Sequence, residues 1–202
     1  MERLNGNWKG LEALRTLRFT CGHCGNRVSS DRGYFALLPG SSSTQVARAY
    51  LCHDCNRLTL FDDEIKQVPA SMLGRAIKKL PPDIESLYTE MRKASAENAY
   101  SLVVMGGRKL LMHIAVSLGA EEGKKFVQYV KYLEDNHFTP PKSKAWVQEI
   151  KNMGNESNHE LIISSKEDAE KIIKFLDLLM TFNYEFADEQ DDEQTETPEN
   201  DE

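Results

Sequence analysis

Two cysteine pairs of identical spacing constrain this chain more than any other feature: CGHC at Cys21–Cys24 and CHDC at Cys52–Cys55, with 27 residues between them and no cysteine elsewhere in the 202. Two residues between thiolates let one tight turn aim both sulfurs at a single ion, and two such turns supply the tetrahedral sulfur set that zinc prefers. The start, MERLNGNWKGLEALRTLRFT, lacks the apolar core of a secretory leader. The longest apolar runs, such as LLMHIAV, fall far short of the roughly 18 to 20 residues that cross a membrane. The expected compartment is therefore the cytoplasm, where structural disulfides are disfavoured and a metal is the better use for four thiols. Four thiolates close the coordination sphere and leave no place for a catalytic water, so the expected cofactor is structural Zn2+. Redox-active dithiols and an iron–sulfur cluster are the alternatives for this spacing. His23 and His53, inside the two knuckles, are expected to be exposed on their turns.

Between the pairs, YFALL and VARAYL flank PGSSST, which predicts two short strands joined by a flexible turn: a zinc ribbon within residues 1–70. The stretch FDDEIKQVPASMLGRAIKKLPPD then reads as a connector, and Pro81 and Pro82 mark entry into a helix. Ile84, Leu87, Tyr88 and Met91 recur at helical spacing, and Leu102, Met105, Leu110 and Ile114 continue it, as one long helix or two abutting ones. Gly106 and Gly107 cost such a helix roughly 1 kcal/mol each relative to alanine unless another helix packs closely there. After SLGAEEGKK breaks the chain, Phe126, Val127, Val130 and Leu133 mark a shorter helix that NHFTPP stops. Residues 143–153 are expected to bury Trp146, Ile150 and Met153. The last helix follows the capping signal SSKED and carries the stripe Ala169, Ile172, Ile173, Leu176, Leu179 and Met180. The predicted fold class is mainly α: a small β zinc ribbon at 1–70, a helical bundle at 71–186, and a tail at 187–202.

Charge divides the chain unevenly. The last sixteen residues, ADEQDDEQTETPENDE, hold nine acids and no base, so the net charge of -7 belongs to the tail, and residues 1–186 carry 25 bases against 23 acids. So few apolar groups cannot offset the entropy of ordering, and the tail is expected to be disordered. Residues 1–60 hold eight bases against four acids. Among them Arg15, Arg18, Arg27, Arg32, Arg48 and Arg57 form the candidate nucleic-acid surface, RNA and DNA being left open.

The stretch IKNMGNESNHE, residues 150–160, looks least like packing. On a continuous helix Lys151, Asn155 and His159 share one face, where a cation, an amide and an imidazole could bind a phosphate and move a proton. Gly154 is also where a helix would end, and Asn155 would then cap the next one. The N-terminal cysteine knuckle, the AYSLVVMGGRKLLMHIAVSLGA helix with Arg108, and IKNMGNESNH late in the chain together resemble the bacterial domain of unknown function 4145, over about residues 82–186. Its motif Gly-Asn-x-x-x-His falls on Gly154, Asn155 and His159.

That family is similar to the HEPN superfamily of helical domains, which includes metal-independent ribonucleases of anti-phage and toxin–antitoxin systems. In those enzymes an arginine precedes the histidine; here Gly154 stands in its place, and Met112 stands where a glutamate often follows the arginine of the long helix. Removing such an electrostatic donor typically costs a factor of about 100 to 1000. The closed metal site, the missing arginine and the basic N-terminal module point to a non-catalytic module that binds nucleic acid or a protein partner, and the resemblance implies a bacterial defence or restriction setting. One alternative is a divergent endoribonuclease, a homodimer acting through His159, with Asn155 orienting and Lys151 or Arg108 neutralising phosphate. The other is an antitoxin-like regulatory partner.

Overall fold

The computed structural model describes residues 3–140, 143–153 and 163–187. Gly154, Asn155 and His159, and all of the acidic tail except Ala187, lie outside the described residues.

Five strands come first: β1 (Glu12–Thr20), β2 (Arg27–Leu37), β3 (Gln45–Leu51), β4 (Leu58–Asp62) and β5 (Gln67–Val68), hydrogen-bonded in sequence order into one antiparallel meander. Alternation along the strands buries one face, where Phe19 of β1, Val28 of β2, Tyr50 of β3 and Phe61 of β4 meet. The rings of Phe19, Tyr50 and Phe61 pack mutually, with centroids 5.2 to 6.1 Å apart. Tyr50 brings its polar end into this core by donating to the Arg15 carbonyl at 2.8 Å.

Five helices follow: α1 (Pro82–Ala96), α2 (Tyr100–Ser117), α3 (Phe126–Asp135), α4 (Lys144–Met153) and α5 (Lys166–Met180), the last running into a π-helical turn, Thr181–Glu185. Pro82 starts α1 as the sequence predicts. Of the two readings, one long helix or two abutting ones, the structure takes the second: α1 and α2 are separated by Glu97–Ala99, with Asn98 in the left-handed region at φ 58°. Helix α2 is central and packs on α1, α3 and α5. Its glycines are where neighbours come closest: a Cβ on Gly107 would lie 2.7 Å from Cδ1 of Ile172 in α5, and one on Gly106 2.9 Å from Cγ of Met91 in α1. Close helix packing thus offsets the propensity cost of both. The α5 stripe is buried throughout, and its N-terminus is a capping box: Ser165 Oγ accepts from Asp168 N, while Asp168 Oδ2 accepts from Ser165 N.

The mainly α fold class does not hold. The N-terminal part is a five-stranded sheet with its own aromatic core, and the chain is a mixed α and β protein. The additional strands lie on either side of the predicted pair: β1 within the start that lacks a leader's apolar core, β4 directly after the second knuckle, and β5 in the predicted connector. Leu102 and Met105 are corrections too. They face outward at 61% and 66% exposure, because α2 is apolar nearly all round and buries Val103, Val104, Gly107, Leu110, Leu111, Ile114 and Ala115 instead. Trp146 is only partly buried against the helical core, whereas Ile150 is fully inside. Among the described residues no helix is long and apolar enough to cross a membrane.

Candidate metal centre

The knuckles Cys21–Asn26 and Cys52–Arg57 are the turns from β1 to β2 and from β3 to β4, so an antiparallel meander places both at one end of the sheet. Each is closed by the same pair of backbone bonds. Gly25 N donates to Cys21 O and Cys21 N to Asn26 O; Asn56 N donates to Cys52 O and Cys52 N to Arg57 O, all at 2.8 to 2.9 Å. The residue after the second cysteine is left-handed in both, Gly25 at φ 76° and Asn56 at φ 59°. Glycine and asparagine are the residues that reach this region most readily.

This brings the four Sγ atoms within 4.8 Å of one another. Cys21 and Cys55 are 3.7 Å apart, and Cys24 and Cys52 3.8 Å. A tetrahedral zinc–thiolate site with bonds of about 2.3 Å has sulfur–sulfur edges of about 3.8 Å, so the donor set fits such an ion and is much too open for disulfides. The four cysteines could therefore hold a metal ion such as zinc.

Electrostatics indicate what a bound cation would offset. Burial pushes the Cys52 thiol up to about 11, and burial together with the charges of Cys21 and Cys52 raises Cys24 well above its ordinary value. Burial opposes ionisation at Cys21 too, but the backbone N–H groups of Cys24 and His23 bring this thiol below its ordinary value. Packing four sulfurs together thus discourages full ionisation unless a bound cation compensates, and binding must release protons.

The two histidines differ. His53 is exposed as expected, with its ring 3.4 Å from Asp54. His23 is half-buried, its Nε2 2.9 Å from the Leu58 carbonyl, because the first knuckle folds its turn against the start of β4. Asn26 Nδ2 also donates to Asp54 Oδ2 at 3.0 Å, tying one knuckle to the other.

What covers the knuckles from outside was not foreseen. Over the first lies the connector to the helices: a Cβ on Gly22 would lie 2.5 Å from the carbonyl oxygens of Pro69 and Ala70, and one on Gly25 would collide with the Arg92 guanidinium. Arg92 belongs to α1 and is buried, donating to the carbonyls of Leu73 and Gly74 at 3.3 and 3.5 Å and lying over the Tyr88 ring. Tyr88 in turn donates to Asp177 of α5. Over the second knuckle lies the N-terminal strap, residues 3–9. Asn56 Nδ2 donates to the carbonyls of Leu4 and Gly6 at 2.9 and 2.7 Å, and the Asn56 carbonyl accepts from Trp8 Nε1 at 3.0 Å. Arg3 donates to the carbonyls of His53 and Asp54.

Strand register sorts the basic residues. Arg18 and Arg27 neighbour Phe19 and Val28 of the buried face, and Arg32 neighbours Gly33, the partner of Tyr50. Because the β1–β2 register shifts between Leu17–Ser30 and Ala13–Arg32, Arg27 and Arg32 share the opposite, open face although five residues apart, and all three arginines are exposed. Arg48 pairs with Phe61 and shares the aromatic face, at its open end. Arg15 is exposed and Arg57 half-buried. Tyr34 is on the open face as well, and Trp8 packs edge-on against it with centroids 6.4 Å apart.

Of the proposed catalytic residues, Asn155 and His159 lie outside the described residues, and Lys151 and Arg108 are not brought together. Lys151 of α4 pairs with Glu134 of α3 at 2.7 Å, with both side chains mostly buried, and the Arg108 guanidinium lies 5.0 Å over the Phe126 ring. Phe126 and Glu134 are two turns apart on α3, about 12 Å along the axis. The two cations thus serve different ends of one helix. His113 has a partner that its neighbours in sequence do not reveal, Asp83 of α1 at 2.6 Å.

No curated protein and no solved structure matches the chain. A family model described as a domain of unknown function, DUF4145, matches residues 89–197 and leaves all four cysteines outside. That match spans more than half of the sequence, and the chain belongs to the DUF4145 family.

Proposed function

We propose that this protein is a zinc-stabilised, non-catalytic nucleic-acid-binding protein: a zinc module of residues 1–70 carried by a HEPN-like helical domain of residues 71–186. Bacterial defence or restriction is the proposed setting. The observation that carries the reading is the open face of the sheet, where Arg18, Arg27 and Arg32 lie with Tyr34, and with Trp8 against it. Guanidinium groups that neutralise phosphates, alternating with aromatic faces for bases, suit a nucleic-acid strand. The four-thiolate centre supports a structural rather than a catalytic metal. Engagement of Lys151 by Glu134 and of Arg108 by Phe126 weighs against either taking the place of the missing arginine beside His159.

Opposite faces provide the test. Zinc content is measured first, by metal analysis of protein purified without added metal; one ion per chain is expected. The reversals Arg18→Glu, Arg27→Glu and Arg32→Glu combined should abolish oligonucleotide binding at moderate salt, since each lost phosphate contact lowers the log–log salt slope by about 0.7 to 0.9. Arg48→Glu, on the aromatic face, should leave binding nearly intact. Binding indifferent to the triple reversal would sink the proposal, and RNA cleavage in chelator that His159→Ala abolishes would replace it with the ribonuclease.

A further inference from the structure

Between the N-terminal strap and the sheet lies a cavity of about 580 Å³, lined among others by Arg3, Asn5, Asn7, Trp8, Leu51 and Asn56. Leu51 neighbours Tyr50 of the buried face, so the cavity opens on the same side of the sheet as Arg18, Arg27 and Arg32. Its volume lies within the range of small-molecule sites. We infer that this cavity receives a single unstacked base of a single-stranded nucleic acid whose backbone runs along those arginines; the inference rests on the nucleic-acid reading and deepens it.

The lining suits a flat ligand with donor and acceptor edges. Trp8 is fixed at two places, by its Nε1 donation to the Asn56 carbonyl and by edge-on packing against Tyr34, and it keeps 37% of its surface open. A ring held in this way is a ready stacking platform, and stacking tolerates any base because every base has a π-face. The Asn5 and Asn7 side chains make no hydrogen bond among the described residues, and a carboxamide offers one donor and one acceptor edge, as a base does. Arg3 also lines the cavity, with Nη1 donating to the carbonyls of His53 and Asp54, and its positive charge adds to the attraction for a nucleic-acid strand. Phosphate contacts are left to the arginines further along the face, and the strap supplies base contacts. Single strands should therefore bind better than duplex, in which the bases are stacked and paired.

Trp146 is the other tryptophan of the chain, so Trp146→Phe leaves Trp8 as sole reporter. Titrating that variant with oligo(dT), oligo(rU) and a DNA duplex should quench Trp8 fluorescence with either single strand and far less with the duplex. Trp8→Ala should weaken single-strand affinity by between about 5-fold and 150-fold, and Trp8→Phe, which keeps a platform, by much less. Asn5→Ala with Asn7→Ala should change the ranking among homopolymers. Unquenched Trp8 while oligonucleotides bind, with affinity still lost on reversal of the three arginines, overturns the cavity and spares the nucleic-acid reading. If no oligonucleotide binds, both fall. The quenching is read on an intact strap and decides the matter even where Trp8→Ala loses its metal.

Discussion

The two knuckles have nearly the same backbone and opposite surroundings. Both run cysteine, two residues, cysteine, then a left-handed residue, and both are closed by the same two hydrogen bonds. Outside the first, the position after the cysteine is glycine because a Cβ there would strike Arg92 of α1. Outside the second, the position is asparagine because its side chain holds the carbonyls of Leu4 and Gly6. One cysteine turn is thus clamped to the helices, and the other to the start of the chain. A shared local geometry was filled with whichever left-handed residue its neighbourhood required.

Removing the metal should have the largest effect and erase the comparison altogether. Structural zinc in small modules carries roughly 10 to 16 kcal/mol of apparent binding energy, so chelation or Cys24→Ser should unfold the sheet. Circular dichroism should then lose its strand contribution and keep the helical bands; a sheet that persists in excess chelator would speak against a folding role for the ion.

Next come the two left-handed positions. Gly25→Ala should cost about 2 to 4 kcal/mol, from the left-handed backbone and the guanidinium collision together. Asn56→Ala should cost about 2 to 3 kcal/mol, for the backbone and the lost donors to the strap. In an Arg92→Ala background the Gly25→Ala penalty should fall by at least about 1 kcal/mol, whereas that of Asn56→Ala should be additive within about 0.5 kcal/mol. Urea unfolding of the double-mutant cycles measures both, and equal coupling of the two positions to Arg92 would end the distinction.

Trp8→Phe removes one hydrogen bond of the strap and should cost about 1 kcal/mol, seen as faster proteolysis near the N-terminus with the helices unaffected. Equally small is the effect at a control site that shares no hydrogen bond with either knuckle. Ser165→Ala should cost about 1 kcal/mol in every background, since it uncaps α5 alone. Hydrogen bonds from Ser165 N and Oγ hold the Asp168 carboxyl below its ordinary value of 3.8. Its contribution is present above that value and is lost as pH falls through the lower folded-state value. Asp168→Asn should accordingly flatten the acid limb of stability, measured by urea unfolding between pH 5 and pH 2.

Much of this was legible where the signal was local. The cysteine spacing pointed to the sulfur cluster, the SSKED cap to the start of α5, and the paired glycines of α2 to close helix contacts. What the sequence concealed depends on distant packing. The strand β1 alternates only loosely, because a bulge between Ala13 and Leu17 interrupts its pairing, and its charged residues belong to an open face. Nothing local marks Arg92 as the neighbour of Gly25, 67 positions away, or Asn56 as the anchor of Leu4. The left-handed pair Gly25 and Asn56 did offer a signal, since both residue types favour positive φ and both directly follow a cysteine. Periodicity places Leu102 and Met105 inside, but α2 is so apolar that it cannot tell the inner from the outer side.

The parity of the meander has an engineering consequence. With both sulfur turns at one end, the hairpin tip between β2 and β3, residues 38–44, stands at the other end and is almost wholly exposed. Lengthening a flexible surface loop costs only about 0.6 kcal/mol per doubling. A fluorescent reporter or an affinity peptide spliced into the Ser41–Ser43 run would sit a full strand length from the sulfurs, leaving the chain's start and its helices untouched.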